Sequence, residues 1–285
     1  MTGRLLVCAT PIGNLSDMSP RAIDSLKTVD LIAAEDTRNT RRLLSAFSVD
    51  TPMTSYHHFN RVEKAHILID KMKEGQTVVL VTDAGTPAVS DPGEELVRLA
   101  HEEGIPVEGI PGPSAAVLAL SVSGLVSGRF VFEGFLPQTN REKKALLEEI
   151  SGENKTMIFY EAPHRLQKTL AELAEALGDR QACLCHELTK KHESIERALL
   201  CELAERYENK EARGEYVLLI EGKNAQQIAR EETARWEEVP LTEHMEHYLG
   251  QGMDKKDAMK AVAADRHIPK REVYQALLEG KEDDI

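Results

Sequence analysis

Apolar and polar positions along this chain fall into alternating short and long periods. Thr77 to Val81 is an uninterrupted apolar run bounded by Gly75 and Asp83, with the length and β-branched content of a buried parallel strand. A loop with Gly85 and Pro87 follows, and then Asp91-Pro92-Gly93-Glu94. That tetrapeptide predicts a helix start, with Asp91 at the N-cap, Pro92 in the first turn and Glu94 closing a capping box. The same strand, loop and helix order recurs. Arg4 to Ala9, Val29 to Ala34 and a short run near Val107 read as strands. Ser19-Pro20 to Lys27, Arg38 to Phe47, Arg61 to Lys73, Pro92 to Glu103 and Ala115 to Val122 read as helices. Such alternation predicts a parallel sheet covered on both faces.

After Gly124 to Gly128 the pattern changes. Strands are expected at Arg129 to Phe135, Thr156 to Tyr160, Ala182 to His186 and Gly214 to Glu221, and helices at Arg141 to Ile150, Pro163 to Leu177 and Ile195 to Tyr207. From Asn224 the strand signal stops. Glu231 to Leu249 and Lys255 to Leu278 have helical spacing, the latter broken at His267-Ile268-Pro269. The fold class is therefore α/β. Two α/β domains are expected at residues 1–123 and 124–223, with a helical extension at 224–285 whose outline is that of a helix-turn-helix.

Charge narrows the function. The 285 residues carry a net charge of −13, which argues against a protein that coats nucleic acid without specificity. It leaves room for an enzyme with a local basic patch. Cys8, Cys183, Cys185 and Cys201 lack metal-binding spacing and read as reduced thiols of a cytoplasmic protein. Cys183 and Cys185 should point to one face of their strand. A signal peptide and a membrane-spanning run are both missing from the pattern.

Several chemistries lack their motifs. Gly13 stands alone after the first strand, so a dinucleotide-binding glycine pattern is absent, as are a phosphate loop and a nucleophile elbow. The histidines lack zinc spacing. What remains is a set of small-residue loops at the carboxyl ends of strands, where α/β sheets bind ligands. They are Pro11 to Asn14, Asp83 to Pro87, Pro111 to Ala115, and Glu161 with Pro163. Their exposed main chain suits a medium-sized ligand such as a nucleoside.

The order of these loops carries a resemblance. The runs Ala9-Thr10-Pro11-Ile12-Gly13-Asn14-Leu15, Ala34-Glu35-Asp36-Thr37-Arg38, Asp83-Ala84-Gly85-Thr86-Pro87, Ser90-Asp91-Pro92-Gly93, Pro111-Gly112-Pro113-Ser114-Ala115, Phe132-Glu133-Gly134-Phe135-Leu136-Pro137, Tyr160-Glu161-Ala162-Pro163-His164-Arg165, Glu187-Leu188-Thr189-Lys190 and Gly214-Glu215-Tyr216 succeed one another along the chain. Together they make it resemble the tetrapyrrole methylase superfamily of S-adenosylmethionine enzymes, and most closely its branch that acts on ribosomal RNA. The resemblance implies a cofactor cleft between two α/β domains and a homodimer. It also implies methyl transfer to the ribose 2′-oxygen of a cytidine in the decoding region of 16S rRNA, within the small ribosomal subunit.

Carried over by position, the cofactor residues are Pro11, Ile12, Asp83, Ala84, Gly85, Thr86, Ser114, Ala115, Tyr160 and Leu218. A ribose hydroxyl is a weak nucleophile, so an acceptor for its proton is expected. Glu35, His164 and Asp91 are the catalytic candidates, with Asp36 and Glu161 beside them. The acceptor ribose is placed near Asn14, Glu35, Arg38 and His164, while Arg38, Arg165 and Lys190 are set to grip phosphate. The scheme uses no metal and no covalent enzyme intermediate. Plainer roles stand beside these: Asp91 as a helix cap, and Glu35 as an ion-pair partner of Arg38. Lys255, Lys256, Lys260, Lys270 and Arg271 give the extension a basic cluster expected to dock RNA. The alternatives are a methylase acting on a small corrin-like ring, and a non-catalytic nucleic-acid-binding protein.

Overall fold

A computed structural model describes residues 3–224, 236 and 239–279. The chain forms two compact units, Met1–Glu221 and Gly222–Ile285.

The first unit opens with β1 (Arg4–Cys8), α1 (Pro20–Thr28), β2 (Leu31–Ala34), α2 (Thr37–Ala46), β3 (Met53–Ser55), α3 (Arg61–Lys73), β4 (Thr77–Val81), α4 (Glu94–Glu102), β5 (Val107–Ile110) and α5 (Ala115–Ser123). Its strands form one parallel sheet in the order β3-β2-β4-β1-β5. Side chains alternate between two cores. Leu6, Cys8, Val79 and Val81 face one, while Leu5, Val78 and Leu80 face the other. The sheet is thus buried on both sides, as its apolar strands require.

The second half holds β6 (Phe130–Phe135), α6 (Asn140–Ile150), β7 (Thr156–Glu161), α7 (Pro163–Leu177), β8 (Gln181–His186), β9 (Ser194–Leu199), α8 (Leu200–Tyr207) and β10 (Tyr216–Ile220). The strand order is β6-β7-β10-β8-β9. Only β6 and β7 run parallel among these pairs. One face of this sheet packs on α6, α7 and α8 through Met157, Phe159, Leu184 and Leu218. The other packs on α5 and Ile12 through Ile158, Cys183, Cys185, Val217 and Leu219. Cys183 and Cys185 do share a face, with their sulfurs 3.9 Å apart.

Three elements differ from the sequence reading. Met53–Ser55 is a short edge strand, paired parallel with β2, at a place where no strand was expected. Ser194–Leu199 is an edge strand instead of the start of a helix, paired antiparallel with β8 from Gln181↔Leu199 to His186↔Ser194. Cross-strand pairing there overrides the modest helix preference of Glu196, Arg197 and Ala198. Helix α4 begins at Glu94 with Gly93 at its N-cap, and Gly93 has no side chain to cap with. Asp91 therefore does not cap this helix and is left in the preceding loop.

In the second unit, α9 (Leu241–Gly250), α10 (Lys255–Asp265) and α11 (Lys270–Glu279) enclose Met245, Ala258, Val262 and Val273. The interruption at His267 to Pro269 lies where the sequence placed it. Residues 231–235, 237 and 238 of the longer helix expected there fall outside the described residues. His244 is fully buried, with Nε2 3.0 Å from Asp265 Oδ2 and Nδ1 accepting from Arg266 Nε at 3.1 Å. Among the described residues no helix is long and apolar enough to cross a membrane.

Candidate active site

Neighbouring strands in a parallel sheet bring their carboxyl-end loops together. Here β4 lies beside β1, and the loops after them are joined at Thr10 and Gly85. Thr10 N–H donates to the Gly85 carbonyl at 2.9 Å, and Gly85 N–H donates back at 3.1 Å. Gly85 adopts φ +88° to do so, a conformation that favours glycine. Its main chain is thus engaged by the neighbouring loop. Thr86 Oγ1 donates to the Pro113 carbonyl at 3.1 Å, tying in the loop after β5. Tyr160 Oη accepts from Ala116 N–H at 3.2 Å and fastens the second sheet to the N-terminus of α5.

These loops enclose a cavity of about 580 Å³ between the two sheets. Of the cofactor residues expected from sequence, Ile12, Asp83, Ala84, Gly85, Thr86, Ser114, Ala115 and Tyr160 line it. Pro11 is buried outside the lining. Leu218 belongs to the core on the far face of the second sheet, and its neighbour Val217 lines the cavity instead. One position along a strand reverses the side chain. Phe135, Cys185, Leu188 and Tyr216 also line it. Sequence reasoning missed Phe135, Cys185 and Tyr216 because an apolar strand residue reads as core whichever face it takes, and Leu188 because it is a lone apolar residue in a turn.

The three catalytic candidates, Glu35, Asp91 and His164, all face the cavity. Their surroundings differ. Glu35 Oε2 accepts from Thr82 Oγ1 at 2.5 Å and lies 3.4 Å from Asp83 N. Its partner is Thr82, and the pairing with Arg38 considered from sequence does not form. Asp91 has lost its capping role and is half-buried. Burial, then the Glu35 and Asp83 charges, push its pKa up to about 6, against a lowering contribution from the Thr82 hydroxyl. His164 is exposed at the first turn of α7. Glu161 is consumed structurally: it is 2% exposed and accepts from Ala162 N–H at 2.8 Å and from Thr169 Oγ1.

The residues assigned to substrate lie outside the cavity lining. Asn14 caps the short 3-10 turn at Leu15–Asp17 by accepting from Ser16 N–H. Asp36 caps α2 and holds Arg38 at 2.7 Å, which draws its pKa down to about 2, chiefly through that side-chain hydrogen bond. The Arg38 side chain is 87% exposed. Arg165 Nη2 donates to the Leu136 carbonyl at 2.6 Å. Lys190 Nζ is 2.8 Å from both Glu187 Oε1 and Glu215 Oε2. Burial opposes the Lys190 charge, but the two carboxylates outweigh it and raise its pKa. Both Arg165 and Lys190 are thus committed to internal partners, a commitment that local sequence does not disclose.

Comparison with known proteins places this geometry. The family model described as Tetrapyrrole (Corrin/Porphyrin) Methylases matches residues 4–204. Ribosomal RNA small subunit methyltransferase I of Bacillus subtilis (strain 168) is 46% identical over 274 residues, covering 96% of this chain and 94% of that protein. The protein of the same name from Halalkalibacterium halodurans is 46% identical over 272 residues, covering 95% and 93%. Among solved structures, uroporphyrin-III C-methyl transferase from Thermus thermophilus complexed with S-adenyl homocysteine superposes with a TM-score of 0.56 at 22% identity. That match covers 78% of this chain and 98% of the other, and it speaks for the fold. The chain belongs to the tetrapyrrole (corrin/porphyrin) methylase family, together with the relatives named ribosomal RNA small subunit methyltransferase I.

Proposed function

We propose that this chain methylates the ribose 2′-oxygen of a cytidine in 16S rRNA, acting on the small ribosomal subunit as a cytoplasmic homodimer. The observation that carries the substrate is the identity to the methyltransferase I relatives, sustained over nearly the whole of both chains. The cavity fits the cofactor of such an enzyme. Its lining combines the apolar side chains of Ile12, Leu188 and Val217 with the carboxylates of Glu35, Asp83 and Asp91. Such a site suits a nucleoside joined to a cationic arm. When bound there, S-adenosylmethionine supplies an electrophilic methyl group on a positively charged sulfur.

The protein's own residues do the rest. The loop holding Gly85 and the N-terminus of α5 fix the site on two sheets, so that alignment is built into the fold. The hydroxyl of the acceptor ribose becomes acidic as its oxygen is alkylated, and Asp91 takes that proton. Burial first, and then the Glu35 charge, make Asp91 basic, and Glu35 also holds the Thr82 hydroxyl. His164, exposed at the mouth, contacts the incoming nucleotide. Exposed Val117, Val122 and Val126 leave apolar surface that a second copy would cover.

The test is transfer of a radiolabelled methyl group in parallel to small subunits that lack the modification, to free 16S rRNA and to a cyclic tetrapyrrole. Label in the RNA of the subunits is expected. Label in the tetrapyrrole alone would replace this reading with that of a small-molecule methylase.

A further inference from the structure

The cleft accounts for one nucleotide, and the surface beside it has no role yet. β3 ends at Ser55, opposite Ala34 of β2, which in turn lies opposite Val81 of β4. The residues that follow Ala34 and Val81 are Glu35 and Thr82, and both line the cavity. The loop after β3 therefore leaves the sheet in the same row as the cleft loops, about two strand spacings or roughly 10 Å away.

That loop presents Phe59 almost entirely to solvent, at 95% exposure. The ring is held out by a built turn. Asn60 Oδ1 accepts from His57 N–H at 2.8 Å, Asn60 N–H donates to the His57 carbonyl at 3.0 Å, and Asn60 Nδ2 reaches Ser55. Lys64 Nζ donates to Thr54 Oγ1 at 3.1 Å and braces the base of the loop. The rings of His57 and His58 stand at steep angles to Phe59, with centroids 6.1 and 6.0 Å away.

The local charge departs from that of the whole. From Glu35 to His66 the chain carries Arg38, Arg41, Arg42, Arg61 and Lys64 against Glu35, Asp36, Asp50 and Glu63, close to balance in a protein of net charge −13. All three α2 arginines and Arg61 are exposed. Arg61 also lines a small depression of about 180 Å³ together with Asp91, Glu94, Glu95 and Arg98, and Asp91 lines the cleft as well.

An exposed ring beside an exposed arginine is the pairing that single-stranded nucleic acid requires, with a base stacking on the ring and a phosphate meeting the cation. We propose that Phe59 is a stacking platform for an unpaired base that neighbours the methylated nucleotide, with exposed Arg61, two residues along the chain, meeting a phosphate of that base. This rests on the rRNA reading above and extends it to the specificity of docking. A rival use of the same ring, as an apolar contact between two copies of the chain, is an outcome of the test.

Phe59→Ala, Phe59→Leu and Phe59→Trp are compared with the unaltered protein. Three properties are measured: affinity for small subunits lacking the modification, S-adenosylmethionine affinity by calorimetry, and sedimentation. The platform predicts that Ala and Leu weaken subunit binding by about tenfold and that Trp restores it. Cofactor affinity and sedimentation should stay constant. Leu binding as well as Phe would reduce the ring to an apolar contact and overturn the proposal. So would a fall in sedimenting mass in Phe59→Ala, which would assign the ring to a second copy. If the unaltered protein methylates the RNA and Phe59→Ala binds it equally well, the platform alone fails. If the unaltered protein transfers no methyl group to RNA, the rRNA reading fails and the platform with it.

Discussion

Asp91 carries a charge that its surroundings oppose. Its carboxyl binds a proton more tightly in the folded chain, at about pH 6, than the ordinary value of 3.8. The sign of the linkage follows: ionising Asp91 works against folding. The penalty is absent below about pH 4 and complete above about pH 6, and solvent screening keeps it on the order of 1 kcal/mol. Asp91→Asn should therefore raise the melting temperature at pH 8 and leave it unchanged at pH 4. The same substitution should lower turnover roughly a hundredfold or more while S-adenosylmethionine affinity holds. In the unaltered enzyme, turnover should climb as pH rises through about 6. A flat profile across that range, or normal turnover in Asp91→Asn, would move the proton acceptor elsewhere, with Glu35 and His164 next in line. The sequence brought these residues to notice because each follows a strand. It left their roles open, since Asp91-Pro92-Gly93-Glu94 satisfies a capping pattern that the backbone does not use. Leu218 illustrates a different limit. Every residue of β10 is buried, so hydropathy alone could not tell Leu218 from Val217, and only the register separated them.

At the scale of elements, loops from the two sheets lean on one another. A Cβ at Gly13, whose φ is +148°, would fall 2.5 Å from Lys190 Cγ and 2.9 Å from its Cε. The Lys190 stem thus packs across the loop after β1, while its ammonium is held by Glu187 and Glu215. The turn that carries it includes Glu187 and Thr189 at positive φ, a conformation retained where the surroundings impose it. This packing suits a strut that positions the Ile12 loop, and the phosphate contact expected from the Lys190 charge is the competing role. Lys190→Ala should weaken cofactor binding by about tenfold, or about 1.4 kcal/mol. Lys190→Met keeps the stem and should stay within about threefold. Neither should alter the salt dependence of rRNA binding. A salt slope reduced by about one in Lys190→Met would return Lys190 to a phosphate contact. Most strands were legible from their apolar runs. The exceptions, β3 and β9, are edge strands with weak apolar patterns, and their identity comes from β2 and β8 rather than from themselves.

For the molecule as a whole, composition and function diverge. A net charge of −13 excludes indiscriminate binding to nucleic acid and says little about a target reached through one basic face. The α/β architecture was legible because two sheets bury long apolar runs. The cavity between them was legible only as a set of loops, and the resemblance to a family joined those loops into a site. Relatives of near-equal length then supplied the substrate class. The central claim is the position of the transferred methyl group. A methyl on the 2′-oxygen removes the nucleophile that alkali needs to cleave the adjoining phosphodiester, whereas a methyl on a base leaves it in place. Small-subunit RNA labelled by this enzyme and digested with alkali measures the difference directly. Methylation of the ribose puts the label in an alkali-resistant dinucleotide whose 5′ member is cytidine. Label released in a mononucleotide would contradict it.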